Sequence, residues 1–230
     1  MNLNRENKIL VTGGTGHLGA AIVHYLVNKV GIPASNVSVF YLTGSPNKSL
    51  ANIEGLNTIE GNVLNRSDVE KAVRGAEYVF HTIGSTTFNP ALKKIQWQIN
   101  VEGTRNIMES CLNEPSFIRL CHTGTVNVLA PPASVLRPGN EENCNSYSSN
   151  KKIHSFVNRE HTLQCIERFQ LHPDEIAKNT GIGYYDSKLA AQELFRKYTS
   201  QLGLEAVSVL PGTMFGPYDH LVGTGQYLLS

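Results

Sequence analysis

An excess of charge of either sign is missing from this sequence: 20 basic residues stand against 19 acidic ones in 230, a net charge of +1. With no basic stripe and no acidic tail, nucleic acid is not an expected partner. Long apolar runs are missing as well. No stretch reaches the roughly 18 consecutive apolar residues of a membrane span, and Met1 to Lys8 is polar where a signal peptide would be apolar. The expectation is a cytoplasmic protein with no membrane partner. The four cysteines, Cys111, Cys121, Cys144 and Cys165, form no CxxC pair. Scattered thiols of this kind predict reduced side chains, and no metal site is expected. There is no internal repeat.

What is present is an alternation of two periods. Short β-type runs recur at Lys8–Thr12, Val37–Leu42, Asn57–Glu60, Glu77–Thr82, Phe117–Thr123 and Glu205–Leu210. Several are almost continuously apolar, as strands covered on both faces are. Helical spacing lies between them: Ala20 to Val27, Ser67 to Arg74 with Ser67 and Glu70 placed as a capping pair, Val101 to Leu112, and Tyr184 to Tyr198. Strand–helix alternation predicts an α/β fold, a doubly wound parallel sheet of Rossmann type. The length suits a single domain over residues 1–230. Residues 137–181 break the rhythm. This insertion reads either as a lid over a substrate or as a surface elaboration.

The segment Val11-Thr12-Gly13-Gly14-Thr15-Gly16-His17-Leu18-Gly19 follows the first strand and opens the first helix. Gly13 can take a tight turn, Gly16 lets backbone approach a phosphate, and Gly19 lets the helix lie close to the strand. The free N–H groups and positive dipole end of that helix suit a pyrophosphate. A second signal is Tyr184-Tyr185-Asp186-Ser187-Lys188. Four residues apart on a helix, Tyr184 and Lys188 share a face, and an ammonium beside a phenol lowers its pKa toward acid–base use. A third is Cys121 to Val128, at the end of a buried strand, where open α/β sheets bind ligands. A hydroxyl there can orient a carbonyl. Thr125 is the first candidate and Thr123 the second. His81 and His122 read as packed or backbone-shaping residues.

Together these segments resemble the extended short-chain dehydrogenase/reductase family over residues 8 to 217. The glycine segment resembles its TGxxGxxG loop. Val79 to Gly84 resembles its fourth-strand segment along the cofactor ribose, and Asn100-Val101-Glu102-Gly103-Thr104 its NxxGT signature. Tyr184 and Lys188 match its YxxxK, and Pro211-Gly212 with Phe215-Gly216-Pro217 is similar to its segment beside the nicotinamide. The wording around His81, Asn100–Asn106 and Thr123–Val128 is most similar to the dihydroflavonol reductase and 3β-hydroxysteroid dehydrogenase branch.

The resemblance implies hydride transfer between a nicotinamide cofactor and a carbonyl or secondary alcohol on a small molecule. Tyr184 would be the general acid–base, Lys188 would hold the ribose and Thr125 would polarise the carbonyl. Asn100 would either support Lys188 through water or start a helix. The implied cofactor contacts are Gly13, Thr15, Gly16, His17, Leu18, Thr43, Asn62, Val63, Thr82, Ile83, Gly84, Asn100, Thr123, Lys188, Pro211 and Gly212. The helices from Asn100 and Tyr184 would either form a homodimer interface or turn their apolar stripes only to the sheet.

The sequence departs from that pattern in places. Asn62 stands where the family has Asp, Leu210 where it has Arg, and Gly124 where Ser is common. The second strand ends Val39-Phe40-Tyr41-Leu42-Thr43-Gly44-Ser45, without the acid that accepts from a ribose 2′-hydroxyl. Thr43, Ser45 and Lys48 could take a 2′-phosphate, so NADP is the expected cofactor and NAD the alternative. Against the family, the substrate-binding C-terminal part reads as truncated. Two other readings stand beside the oxidoreductase: a nucleotide-sugar epimerase or dehydratase with tightly bound NAD, and a non-catalytic dinucleotide sensor.

Overall fold

A computed structural model describes residues 3–128 and 183–219. Six strands, β1 (Ile9–Thr12), β2 (Val37–Leu42), β3 (Asn57–Gly61), β4 (Tyr78–His81), β5 (Arg119–Thr123) and β6 (Ala206–Val209), form one sheet in the order β3-β2-β1-β4-β5-β6. Every pairing is parallel. The helices are α1 (His17–Tyr25), α2 (Arg66–Val73), α3 (Lys93–Trp97), α4 (Thr104–Leu112) and α5 (Gly183–Gln201). Wider π-helical turns extend α1 over Leu26–Val30 and join α3 to α4 over Gln98–Gly103. The expected doubly wound parallel sheet is the one observed.

The period-two alternation of each strand sorts its side chains between two cores. Leu10, Phe40, Val79 and Leu120 face one, with Val69 of α2, Ile107 and Met108 of α4, and Leu194 of α5. Ile9, Val11, Val37, Val39 and Tyr41 face the other, with Ala20 and Val23 of α1. All four residues of β1 are buried, so this strand has no solvent face and reads as a bare apolar run.

The chain winds outward from β1 in one direction and from β4 in the other. Between those two neighbours the helices leave for opposite faces, which opens a crevice at the carboxyl ends of the strands. The turns after β1, β2, β3 and β4 all arrive there.

The start of α2 differs from the sequence expectation. Its cap is Asn65, whose side-chain oxygen accepts from the Ser67 amide at 3.0 Å. Ser67 lies inside the helix, and Glu70 pairs with Arg66 at 2.8 Å instead of reaching back to a cap. Asparagine competes well for this position because its carbonyl reaches the second or third amide. Cys111 is buried and Cys121 half-buried, both as free thiols, and burial raises the pKa of each. Cys144, Cys165 and the 137–181 insertion lie outside the described residues. Among the described residues no helix is long and apolar enough to cross a membrane, and no cluster of side chains could hold a metal ion.

Candidate active site

The turn after β1 is built by its glycines. Gly13 sits at φ 72° and its amide donates to Phe40 O at 2.7 Å, closing the turn against β2. At Gly19 a Cβ would run into Gly13 O and meet Gly14 Cα at 2.7 Å. Only glycine lets α1 start this close to the turn. Gly16 caps α1 with no side-chain hydrogen bond, which leaves the first-turn amides available to an anion.

A groove of about 240 Å³ runs along the strand ends. Gly13, Thr15, Gly16, Asn62, Val63, Thr82, Ile83 and Gly84, all expected cofactor contacts, line it. Thr82 is held there by its hydroxyl, which donates to Thr12 O at 2.7 Å. Asn62 is exposed, and its side-chain oxygen accepts from the Leu64 amide at 2.9 Å. His17 and Leu18 line a neighbouring cavity of about 470 Å³, closed on its far side by Thr213 to Pro217.

Thr43 is exposed and does not line the groove. Tyr41, Leu42 and Ser45 do, because Ser45 N donates to Leu42 O at 2.9 Å and folds the turn back onto the strand end. Tyr41, Gly61 and Ile99 were missed from sequence. Their signal was available in the strand-end positions of Tyr41 and Gly61, and absent for Ile99, which arrives from the π-helical turn.

At the opposite end of the crevice α5 brings Tyr184 and Lys188 together with the end of β5. The β5–β6 edge is pinned by Gly124 N donating to Val209 O at 2.8 Å and Val126 N to Pro211 O at 3.1 Å. This clamp holds Thr125 buried, with its side chain hydrogen-bonded to the Tyr184 phenol. Lys188 is 8% exposed, and its ammonium donates to Thr123 O at 3.3 Å. A Cβ on Gly84 would lie 3.1 Å from that nitrogen and 3.4 Å from Asn100 Oδ1. Thr125, Tyr184, Lys188, the Thr123 carbonyl and the groove wall at Gly84 therefore converge.

Two departures from the family pattern meet here. A Cβ at Gly124 would strike Leu210 Cδ2 and approach Gln192 Oε1 at 3.0 Å. The small residue and the apolar one occupy the same space, and the hydroxyl is supplied one position later by Thr125.

Burial dominates the electrostatics. It lowers Lys188 to about 8. It also raises Tyr184, opposed by the Thr125 hydrogen bond and aided by Tyr185. The expected depression of Tyr184 by Lys188 is not what this arrangement shows, because the ammonium points at Thr123 O and Gly84 rather than at the phenol. Asp186, 1% exposed, is pushed up to about 7 by burial, with Lys93 opposing. Its two oxygens have no hydrogen-bond partner among the described residues.

Asn100 lies inside the π-helical turn, not at a helix start. Its side chain donates to Ser187 Oγ at 2.9 Å and to Ser85 O at 3.0 Å, and accepts from Ser85 N at 2.8 Å. It thus ties the loop after β4 to α5. His81 and His122 are buried and neutral. Burial, then Lys188, takes His81 down to about 3. His122 is held well below the usual imidazole range by burial, His81 and Lys188. Their packed reading from sequence matches this burial.

Comparison with known proteins follows the same outline. Residues 10–158 match the model of the 3-beta hydroxysteroid dehydrogenase/isomerase family. The short-chain dehydrogenase/reductase family 42E member 1 of Danio rerio is 33% identical over 132 residues, 56% of this chain and 32% of that protein. A 3-beta-hydroxysteroid dehydrogenase of Mycolicibacterium neoaurum is 32% identical over 109 residues, 45% of this chain and 28% of that protein. The dTDP-glucose 4,6-dehydratase of Streptomyces venezuelae, solved with NAD and TYD bound, superposes with a TM-score of 0.65 at 18% identity, covering 92% of this chain and 57% of that one. The matched stretch is thus about a third of the length of the curated relatives. With its glycine turn, parallel strand order and five signature segments in sequence order, the chain belongs to the 3-beta hydroxysteroid dehydrogenase/isomerase family, within the extended short-chain dehydrogenases/reductases.

Proposed function

We propose that this protein is an NAD(P)-dependent oxidoreductase that moves hydride between a nicotinamide cofactor and a carbonyl or secondary alcohol on a small molecule. One observation carries the reading: the Thr125 hydroxyl meets the Tyr184 phenol beside a buried Lys188, at the end of a groove lined by the glycine turn. The bound cofactor supplies or accepts the hydride. Tyr184 gives its proton to the forming alkoxide or takes one from the alcohol. Thr125 orients the carbonyl oxygen. Lys188 supplies a positive charge that can turn from Thr123 O to a ribose hydroxyl. The first-turn amides of α1 take the pyrophosphate, while Asn62 and Val63 flank the adenine end.

The test is turnover with a panel of ketones. Tyr184→Phe is expected to lose at least about 100-fold in kcat and to keep its cofactor affinity. Unchanged turnover in that variant rejects the assignment. Sugar-nucleotide turnover without added cofactor, with NAD retained through purification, would replace it with the epimerase or dehydratase reading.

For the cofactor we propose NADP. No acidic side chain is among the described residues lining the groove, and Glu60 on β3 accepts a hydrogen bond from the Tyr41 phenol at 3.2 Å. Ser45 offers a hydroxyl where a 2′-phosphate would lie. Tighter binding of NADH than of NADPH in a fluorescence titration overturns this choice. We also propose a homodimer through the helices from Asn100 and Tyr184, supported by the exposure of Leu112 at the end of α4 and of Leu202 just beyond α5.

A further inference from the structure

An unbroken line of buried hydrogen bonds runs from the glycine turn to the candidate catalytic helix, and His81 stands in the middle of it. Thr12 Oγ1 lies 2.7 Å from His81 Nδ1, and His81 Nε2 lies 3.1 Å from Thr104 Oγ1. Thr104 Oγ1 donates to Asn100 O at 2.7 Å. Asn100 Nδ2 donates to Ser187 Oγ at 2.9 Å, and Ser187 Oγ to Tyr184 O at 2.9 Å. Thr12, His81, Thr104, Asn100 and Ser187 are each at most 2% exposed.

The proton count fixes every direction in this line. A threonine hydroxyl has one proton. Thr104 gives its own to Asn100 O, so it can only accept from the imidazole. The proton of neutral His81 therefore sits on Nε2. Nδ1 is left as an acceptor, and Thr12 donates to it.

The line crosses the π-helical turn at its end. The Thr104 amide donates to Val101 O, and the Thr104 hydroxyl donates to the Asn100 carbonyl. That hydroxyl could rotate away if nothing held it. The Nε2–H of His81, fixed in turn by Thr12 at the end of β1, holds it.

We propose that His81 is a positioning residue. Through Thr104 it sets the carbonyl and side chain of Asn100, and through Asn100 and Ser187 it aligns the Tyr184 end of α5 with Lys188 and the cofactor groove. His81 itself touches no reacting atom. The proposal rests on Tyr184 and Lys188 being the reacting pair. Its structural consequence is a mechanical link between the turn that takes the pyrophosphate and the helix that carries the acid–base.

The test uses Thr104→Val, which keeps the shape and removes the hydroxyl, and Thr104→Ser, which restores it. Four quantities are read on the full chain: kcat and KM for a ketone with NADPH, the melting temperature, and the titration midpoint of Lys188 by 13Cε NMR. The expected result for Thr104→Val is a fall in kcat of about 10- to 100-fold with KM within about twofold, and a shifted Lys188 midpoint. Thr104→Ser is expected to recover most of both. His81→Leu should reproduce the Thr104→Val pattern.

The proposal is overturned if Thr104→Val keeps wild-type kcat and Lys188 midpoint. It is overturned equally if Thr104→Ser is as impaired as Thr104→Val, or if every loss simply follows the melting temperature. If the unmodified protein turns over no ketone, the oxidoreductase reading falls by itself. The Lys188 midpoint still decides whether the line of hydrogen bonds sets the geometry.

Discussion

Replacing Lys188 with methionine is expected to abolish turnover and to stabilise the fold. Burial lowers the lysine from its ordinary 10.5 to about 8. At about 1.4 kcal/mol per pH unit, that displacement sets about 3 kcal/mol against folding wherever the lysine is charged in both states. Methionine keeps the buried stem and removes the ammonium. It also forfeits the 3.3 Å bond to Thr123 O, which is worth about 1 kcal/mol. The net gain is about 2 kcal/mol, or about 4–8 °C in melting temperature for a chain of this size.

The pH dependence follows from linkage. Between pH 8 and 10.5 the unfolded chain holds more protons on this group than the folded one, so wild-type stability gains from Lys188 as pH rises through that window. The advantage of Lys188→Met should be full below pH 8 and shrink toward pH 10.5. Thermal melts of both proteins across pH 7 to 10.5 read this directly. A variant less stable than wild type at pH 7, or an advantage that does not change with pH, refutes the burial account of this lysine. A stabilised but inactive protein is the expected trade-off where a charge is kept buried for function.

Other outcomes can be checked alongside. Gly124→Ser should cost about 1–3 kcal/mol by overpacking, because the new side chain strikes Leu210 and crowds Gln192. Adding Leu210→Ala should recover part of that loss, and strict additivity in urea melts would show that the two sites do not share the space. Asn65→Ala should cost about 1 kcal/mol as a lost cap, with Ser67→Ala nearly neutral. The reverse order would return the cap to Ser67.

Much of the fold was legible because its signals are local. Short apolar runs such as Ile9-Leu10-Val11, bounded by turn residues, read as strands buried on both sides, and Gly13 at positive φ with Gly19 packed against Gly13 O marks the turn. Placing the cap of α2 failed at Ser67 because Asn65 and Ser67 compete within two residues, and the outcome depends on where Glu70 finds its partner. Thr43 failed as a groove residue because the tight turn from Leu42 to Ser45 lifts it outward. That turn is set by a backbone hydrogen bond, which residue type does not announce. The coupling of Gly124 to Leu210 was invisible because 86 residues separate them and only the β5–β6 pairing brings them into contact.

The amino-acid sequence alone determined the strand–helix alternation, the glycine turn after the first strand and the candidate acid–base residues Tyr184 and Lys188, since these depend on side-chain type and near-neighbour spacing. Tertiary structure decided which of them meet: that Thr125 reaches Tyr184, that Lys188 turns to Thr123 O, and that His81 bridges Thr12 to Thr104. Those contacts join β1, β4, β5, α4 and α5, so they exist only once a parallel sheet has fixed five distant segments at one edge.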